Sequence, residues 1–305
     1  MSLAPIALFV FNRADKTQKT IAHLLQNAEA PASDIYIFSD GPRSEKDVPG
    51  IREVREYLKT VTGFKSVTVI EQEVNRGVSG SIVPGVTMVV NKHGKVIQID
   101  DDMLVVPHFL KFMNDALDYY ENDDRVACIC GLLYPVKKKV PPTFFIRGAD
   151  CAVWATWKRA WDLYEPDGQK LLNEIEKKKL SFLFEFHGSF PYIQMLKDQI
   201  AGRNDSWAVR WYASAFLHNK YTLYPGESLV KDNGRDDSGT NCTTTSDYDN
   251  IVGSEPIPVG NIPVKQSRQG FNAFKDFFVG LHKYPSFKRK RKRFKRWVKY
   301  LFTGA

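Results

Sequence analysis

Strands alternating with helices predict an α/β protein, a doubly wound and mostly parallel sheet flanked by helices. Three observations carry that expectation. Four short apolar runs recur within the first 102 residues, and each ends in polar side chains. Segments of helical periodicity separate them. The hydrophobic share is 43% of 305 residues, ordinary for a chain with a full-sized core.

The elements follow in order. "PIALFVFNR" reads as a buried first strand closed by Phe11, Asn12 and Arg13. "ADKTQKTIAHLLQNA" places Ile21, Leu24 and Leu25 at helical spacing. "DIYIFSDGPR" is a second strand ending in a Gly-Pro turn, residues 45–60 read as helix, and "SVTVIEQ" is a third strand. "NRGVSGSIVPGVTMVV" is a Gly-rich loop entering a helix, and "GKVIQIDDD" is a fourth strand. "VPHFLKFMNDALDYY" is a helix with Pro107 in its first turn and residues 109, 110, 113 and 117 on one face. After Gly131 the chain turns aromatic and Gly-broken, with helices expected in "SFPYIQMLKDQIAG" and in "SWAVRWYASAFLHNKYTLY", the latter running into a strand. From about Ser238 to Gln269 the composition is Ser/Thr/Asn/Gly/Pro-rich. The expected organisation is one domain over 1–265, with halves 1–131 and 132–265, followed by a basic amphipathic tail over 266–305.

Charge and cysteines narrow the class. The net charge is +8, but ten Lys/Arg and no acid follow residue 276, leaving the first 276 residues at −2. A nucleic-acid enzyme would spread positive charge over its binding face, so nucleic acid is not the expected partner. Four cysteines, Cys128, Cys130, Cys151 and Cys242, show neither CxxC pairs nor zinc-finger spacing, which predicts reduced thiols in a cytoplasmic protein. The start lacks the features of a secretory leader, and no run of about 18 apolar residues predicts a membrane span.

Ligands on sheets of this kind sit at the carboxyl ends of the strands. There the chain places Asn12-Arg13, Ser39-Asp40, Asn75-Arg76 and Asp100-Asp101-Asp102. Three adjacent carboxylates repel one another, and burying them uncompensated raises their pKa values. A divalent cation, Mn²⁺ or Mg²⁺, relieves that with hard oxygen ligands. Alternation puts Asp100 and Asp102 on one side and Asp101 on the other, so one acid can bind metal while a neighbour accepts from ribose hydroxyls. A solvated acidic turn, with Asp102 favouring the next helix's N-terminus, is the alternative.

"VIQIDDDMLVVPHFLKFM" resembles the DxD segment of GT-A glycosyltransferases, whose nucleotide-diphospho-sugar transferase fold has this architecture. The similarity is closest to N-acetylglucosaminyltransferase I-like enzymes and bacterial family 2-like sugar transferases. "PIALFVFNRADKTQKTIAHL", "IFSDGPR", "NRGVSGSI" and "DSWAVRWYASAFLHNKYTLYPGESLVKDNGRDDSGTNC" resemble further segments, covering roughly residues 4–242. The resemblance implies a metal-dependent hexosyl transfer with inversion, from a nucleotide-sugar donor, UDP-linked, to a surface-glycan or lipid-linked saccharide acceptor. It implies Asp102 as the metal-contacting acid, Asp101 near the ribose and Asp100 near the donor sugar. It gives Asp40 the uracil N3–H; an ordinary turn residue is the alternative. Arg13 and Arg76 would meet the pyrophosphate or sugar, unless either is a surface arginine.

An inverting transfer needs a carboxylate base. Asp205, two residues before Trp207, is the first candidate, with a helix N-cap as its other reading; Glu185 is a weaker one. Asn241 stands where a histidine is expected in bacterial relatives, and His187 is acceptor-side or structural. Trp154 and Trp157 are candidate sugar-stacking platforms, with core packing as the alternative.

In "FKRKRKRFKRWVKYLF", Phe294, Trp297, Val298 and Leu301 fall on one helical face and Lys/Arg on the other. That is the pattern of an interfacial helix, predicting peripheral binding to the anionic inner face of the plasma membrane; a nucleic-acid-binding or solvated tail is the alternative. Two other function classes stay open. A nucleotidyltransferase would show an early Gly-rich basic signature that "FNRADKTQKT" lacks. A sugar-nucleotide or glycan-binding module would have the site without the base.

Overall fold

The computed structural model describes residues 2–235 and 247–281. Asn241 and the tail residues Phe294, Trp297, Val298 and Leu301 lie outside the described residues.

The first half follows the expected alternation. The elements are β1 (Ile6–Val10), α1 (Ala14–Leu24), β2 (Asp34–Ser39), α2 (Val48–Leu58), β3 (Ser66–Glu71), α3 (Gly77–His93) and β4 (Lys95–Asp100). Then come β5 (Met103–Val105), α4 (Phe109–Tyr119), β6 (Val126–Cys130), β7 (Thr143–Arg147) and β8 (Trp154–Trp157). Five helices, α5 (Lys158–Trp161), α6 (Gly168–Lys177), α7 (Ser181–Phe184), α8 (Tyr192–Ile200) and α9 (Trp207–Leu217), precede β9 (Tyr221–Pro225), β10 (Val230–Asp232) and α10 (Arg268–Leu281).

Eight strands form one sheet in the order β3-β2-β1-β4-β8-β6-β9-β7, and β5 pairs with β10 apart from it. β3, β2, β1 and β4 are parallel neighbours. β1 and β4 are buried along their full length apart from the partly exposed Asp100, because helices cover both faces and an apolar run suits both. The second half is mixed: β8 runs antiparallel to β4 and β6, and β7 antiparallel to β9, while β6 and β9 are parallel. The expected parallel character thus holds for the first four strands, and antiparallel pairing begins where β8 inserts beside β4.

Two apolar clusters hold the layers. One, on the α1, α2 and α4 face, runs from Ile6 and Leu8 through Phe109 and Met113 to Phe274. The other gathers Phe9, Phe38, Val86 and Val90 under α3 with Trp154, Trp161, Trp207 and Trp211. Phe271, Phe274 and Phe278 of α10 are buried and meet Phe186, Phe144 and Tyr134. The folded body therefore continues past the expected boundary at 265. The apolar face of α10 belongs to the core, and the basic excess starts after it. No helix among the described residues is long and apolar enough to cross a membrane.

Candidate active site at the β1–β4 switch point

The order β3-β2-β1-β4 steps outward from β1 in both directions. The crevice beyond the carboxyl ends of β1 and β4 is therefore a topological switch point, where such sheets take ligands. Arg13 leaves the end of β1 and Asp100–Asp102 leave the end of β4, so both groups arrive there.

The guanidinium of Arg13 joins them. Its Nη2 donates to Oδ1 of Asp101 and, at 2.8 Å, to Oδ2 of Asp102. Asp101 and Asp102 are 4% and 8% exposed. Burial opposes the charge on Arg13, but Asp101 and Asp102 outweigh it and hold its pKa above the ordinary value. Burial, with the charges of Asp102 and Asp101, pushes Asp100 up to about 7, while Gln98 Nε2 donates to it at 2.8 Å. Asp101 rises to about 6 through burial, partly offset by Arg13. Backbone contacts fix the segment: Thr20 Oγ1 donates to the Asp101 carbonyl, and the Asn233 N–H to the Asp102 carbonyl.

A strap over residues 230–235 covers the acids. β10 pairs with β5, Lys16 Nζ donates to the Asn233 carbonyl at 2.6 Å, and Asp232 binds Arg235 at 2.7 Å. Gly234 lies against Asp102 so closely that a Cβ there would overlap Oδ2.

The acids fit a hard cation in donor type. Oδ2 of Asp101 is buried without a hydrogen-bond partner among the described residues. Among those residues no three His, Cys, Asp or Glu side chains form a metal cage.

A second group lies on the same edge. Asp40 is tied to β1 through its N–H and the Val10 carbonyl. Its carboxylate accepts from the N–H groups of Gly41, Arg76 and Gly77 and from Asn75 Nδ2, at 2.8 to 3.1 Å. These four donors fill the lone-pair sites of a carboxylate. Asp40 therefore anchors the start of α3, a structural part beside the role expected of it toward uracil N3–H. Arg76 is exposed at the N-cap of α3, and its guanidinium makes no hydrogen bond among the described residues. Asp205 is 65% exposed and approaches the same helix start, accepting from the Ser79 N–H at 3.3 Å with Arg210 4.0 Å away. The N-cap of α9 is Ser206, whose Oγ accepts from the Val209 N–H, so Asp205 does not cap its own helix.

Other expected residues have structural places. Asn12 Nδ2 donates to Asp47, and Phe11 lies under the Arg43 guanidinium at 4.7 Å. Trp154 is fully buried, its ring 5.5 to 5.7 Å from those of Trp161, Trp207 and Trp211. Trp157 is 3% exposed, donates from Nε1 to the Leu117 carbonyl, and is covered by Arg159. Neither offers a face to a sugar, which corrects their reading as stacking platforms. Glu185 is buried, with Oε1 accepting from Ile193 in the first turn of α8, and His187 stacks on Phe182.

Asp150 was not singled out in the sequence. It accepts from the N–H groups of Cys151 and Ala152 and from the hydroxyls of Tyr134 and Tyr224. This pins the loop into β8 beside the acids, and Val153, next along, holds the strained φ of 50° for a buried β-branched residue. The charges of Asp150 and Asp100 add to burial in raising the Cys151 thiol. A lone acid between aromatic strands, in "RGADCAVW", was the signal.

No family model matches the chain, and no curated protein matches it. Among solved structures it is similar to S. aureus TarS at 12% identity and TM-score 0.32, over 46% of this chain and 23% of that one. It is similar to residues 1–349 of the same protein at 12% identity and TM-score 0.35, over 53% and 48%. It is also similar to the mannosyltransferase PcManGT from Pyrobaculum calidifontis, in complex with GDP-Man and Mn²⁺, at 14% identity and TM-score 0.31, over 45% and 36%. The chain spans less than half the length of each of these proteins that it matches. Scores of this size leave the site to be read from the chain's own topology.

Proposed function

We propose that the chain is a GT-A-type, metal-dependent glycosyltransferase. It would move a hexosyl group with inversion from a nucleotide-diphosphate sugar to a surface-glycan or lipid-linked saccharide. The observation that carries this reading is the pairing of Arg13 with Asp101 and Asp102 at the switch point. It sets a cationic fork and two carboxylates where a sheet of this topology receives a ligand.

Asp102, with Asp101 beside it, would hold Mn²⁺ or Mg²⁺, which when bound supplies Lewis-acid stabilisation to the leaving diphosphate. Asp100, at the end of β4 beside them, would accept from a hydroxyl of the donor sugar. Arg13 and Arg76 meet the diphosphate oxygens. Asp205 takes the acceptor hydroxyl proton as that oxygen bonds to C1; the bond from C1 to the diphosphate oxygen breaks, and its electron pair leaves with the diphosphate. Asp205 suits this role because it accepts one long hydrogen bond, whereas Asp40 and Asp150 are each saturated with four.

Thermal shift with UDP, GDP, CMP and dTDP, each with and without Mn²⁺, tests the reading. Stabilisation by one nucleotide in the presence of Mn²⁺ is expected, and no response to any of them would sink it. The exposure of Asp205 favours a second reading, a sugar-nucleotide-binding module without a base. Donor binding with no hydrolysis or transfer by the wild-type chain would favour that one.

The basic segment after α10 is proposed to bind anionic membrane on the cytoplasmic face. About 1 kcal/mol per basic residue near the surface is the scale of that attraction. Equal liposome flotation with and without residues 283–305 would remove this part.

A further inference from the structure

Arg13 stands where a cation on these acids would stand. Its Nη2 donates to both Oδ1 of Asp101 and Oδ2 of Asp102. A divalent ion brought to those oxygens would meet the guanidinium charge within a few ångströms. Two cations cannot share that space with little water between them. The arrangement is also incomplete. Among the described residues Nη1 of Arg13 is buried with no hydrogen-bond partner, and so is Oδ2 of Asp101. Each carries a desolvation cost that its pairing does not relieve. The donor calls for an anion, and the acceptor for a cation or a proton.

We infer that Arg13 is the resident counter-ion of the acid cluster, and that a divalent cation binds Asp101 and Asp102 only as the guanidinium withdraws. The two events form one exchange. Asp101 and Asp102 would hold the ion. The freed fork, whose five donors match phosphate geometry, is then available to the donor's diphosphate. Apo protein keeps Asp101 and Asp102 paired with Arg13, and the cationic fork is released when the metal arrives. The inference rests on the metal-dependent reading above and adds to it an order of occupancy.

Mn²⁺ affinity of the full chain, measured by calorimetry without nucleotide, tests the exchange. Arg13→Met removes the charge and keeps bulk; it should bind Mn²⁺ on the order of tenfold tighter or more than wild type. Arg13→Lys should fall between them. Equal or weaker binding by Arg13→Met would overturn the exchange. The wild-type chain provides a check that needs no variant. Phenylglyoxal labelling of the peptide containing Arg13, followed by mass spectrometry, should rise several-fold on adding Mn²⁺. Unchanged or reduced labelling would overturn the inference even if Arg13→Met failed to fold. Binding of a nucleotide sugar with no Mn²⁺ affinity in any form would overturn the exchange and leave a metal-free transferase reading standing. Binding of neither would remove both.

Discussion

Gly234 rests on the carboxylate of Asp102, with no room for a Cβ between the strap and the acid. The contact makes the strap part of the site's wall. Gly234→Ala should push the strap off Asp102 and strain the β5–β10 pairing and the Lys16–Asn233 contact. The expected cost is about 1–3 kcal/mol, typical of overpacking, with donor binding weakened and the main sheet intact. Thermal melts and nucleotide titration check this; a variant that melts and binds like wild type would show that the strap yields freely.

Asp205 is set apart by its exposure. Away from buried features, surface substitutions usually change stability by less than about 0.5 kcal/mol. Asp205→Asn should therefore melt with the wild type. If Asp205 is the base, turnover should fall by roughly 10²–10⁴-fold with donor binding unchanged. Retained turnover would move the role to another acid.

The acid cluster makes a distinct pH signature. Asp100 at about 7 and Asp101 at about 6 both lie above the carboxylate value of 3.8. Between pH 4 and 7 the folded chain holds protons that the unfolded chain releases, so this contribution falls as pH rises. In metal-free buffer Asp100→Asn should match wild type near pH 4 and gain on it by pH 8, on the order of 2 kcal/mol or more. Denaturant unfolding at both pH values measures the difference, and parallel pH profiles would contradict the raised Asp100 value.

The tryptophans should behave as core residues. Trp154→Ala is expected to cost about 3–5 kcal/mol. Trp157→Phe loses the bond to the Leu117 carbonyl and should cost about 1 kcal/mol or somewhat more. Sugar or acceptor affinity of the folded Trp157→Phe protein should not change; a selective loss of affinity at full stability would restore a binding role.

Much of the first half was readable because β1, β2 and β4 are apolar runs buried by helices, each ending in polar residues. The convergence of Arg13 with the acids follows from that topology. Its outcome, a guanidinium bridging residues 88 and 89 positions away, does not, because local spacing carries no trace of it. Asp40 looked like a ligand group for the same reason: its four donors come mostly from the start of α3. Beyond β4, "VACIC", "TFFIR" and "WATW" are short and buried except for Arg147, so they show no period and gave no direction. In α10 the spacing of Phe271, Phe274 and Phe278 was present, but the charge beyond it drew the boundary too early.

β8 finally bears on how the molecule is made. The outer edge of β4 is completed by residues from far downstream, Gln98 meeting Trp154 and Lys95 meeting Trp157. While the chain is being synthesised, β4 waits with an open row of amide and carbonyl groups, the kind of edge that invites aggregation. A fragment ending at residue 131 would carry that edge permanently. The two halves therefore meet along β4 and β8, and the acids gain their wall later still, once residues 230–235 have emerged.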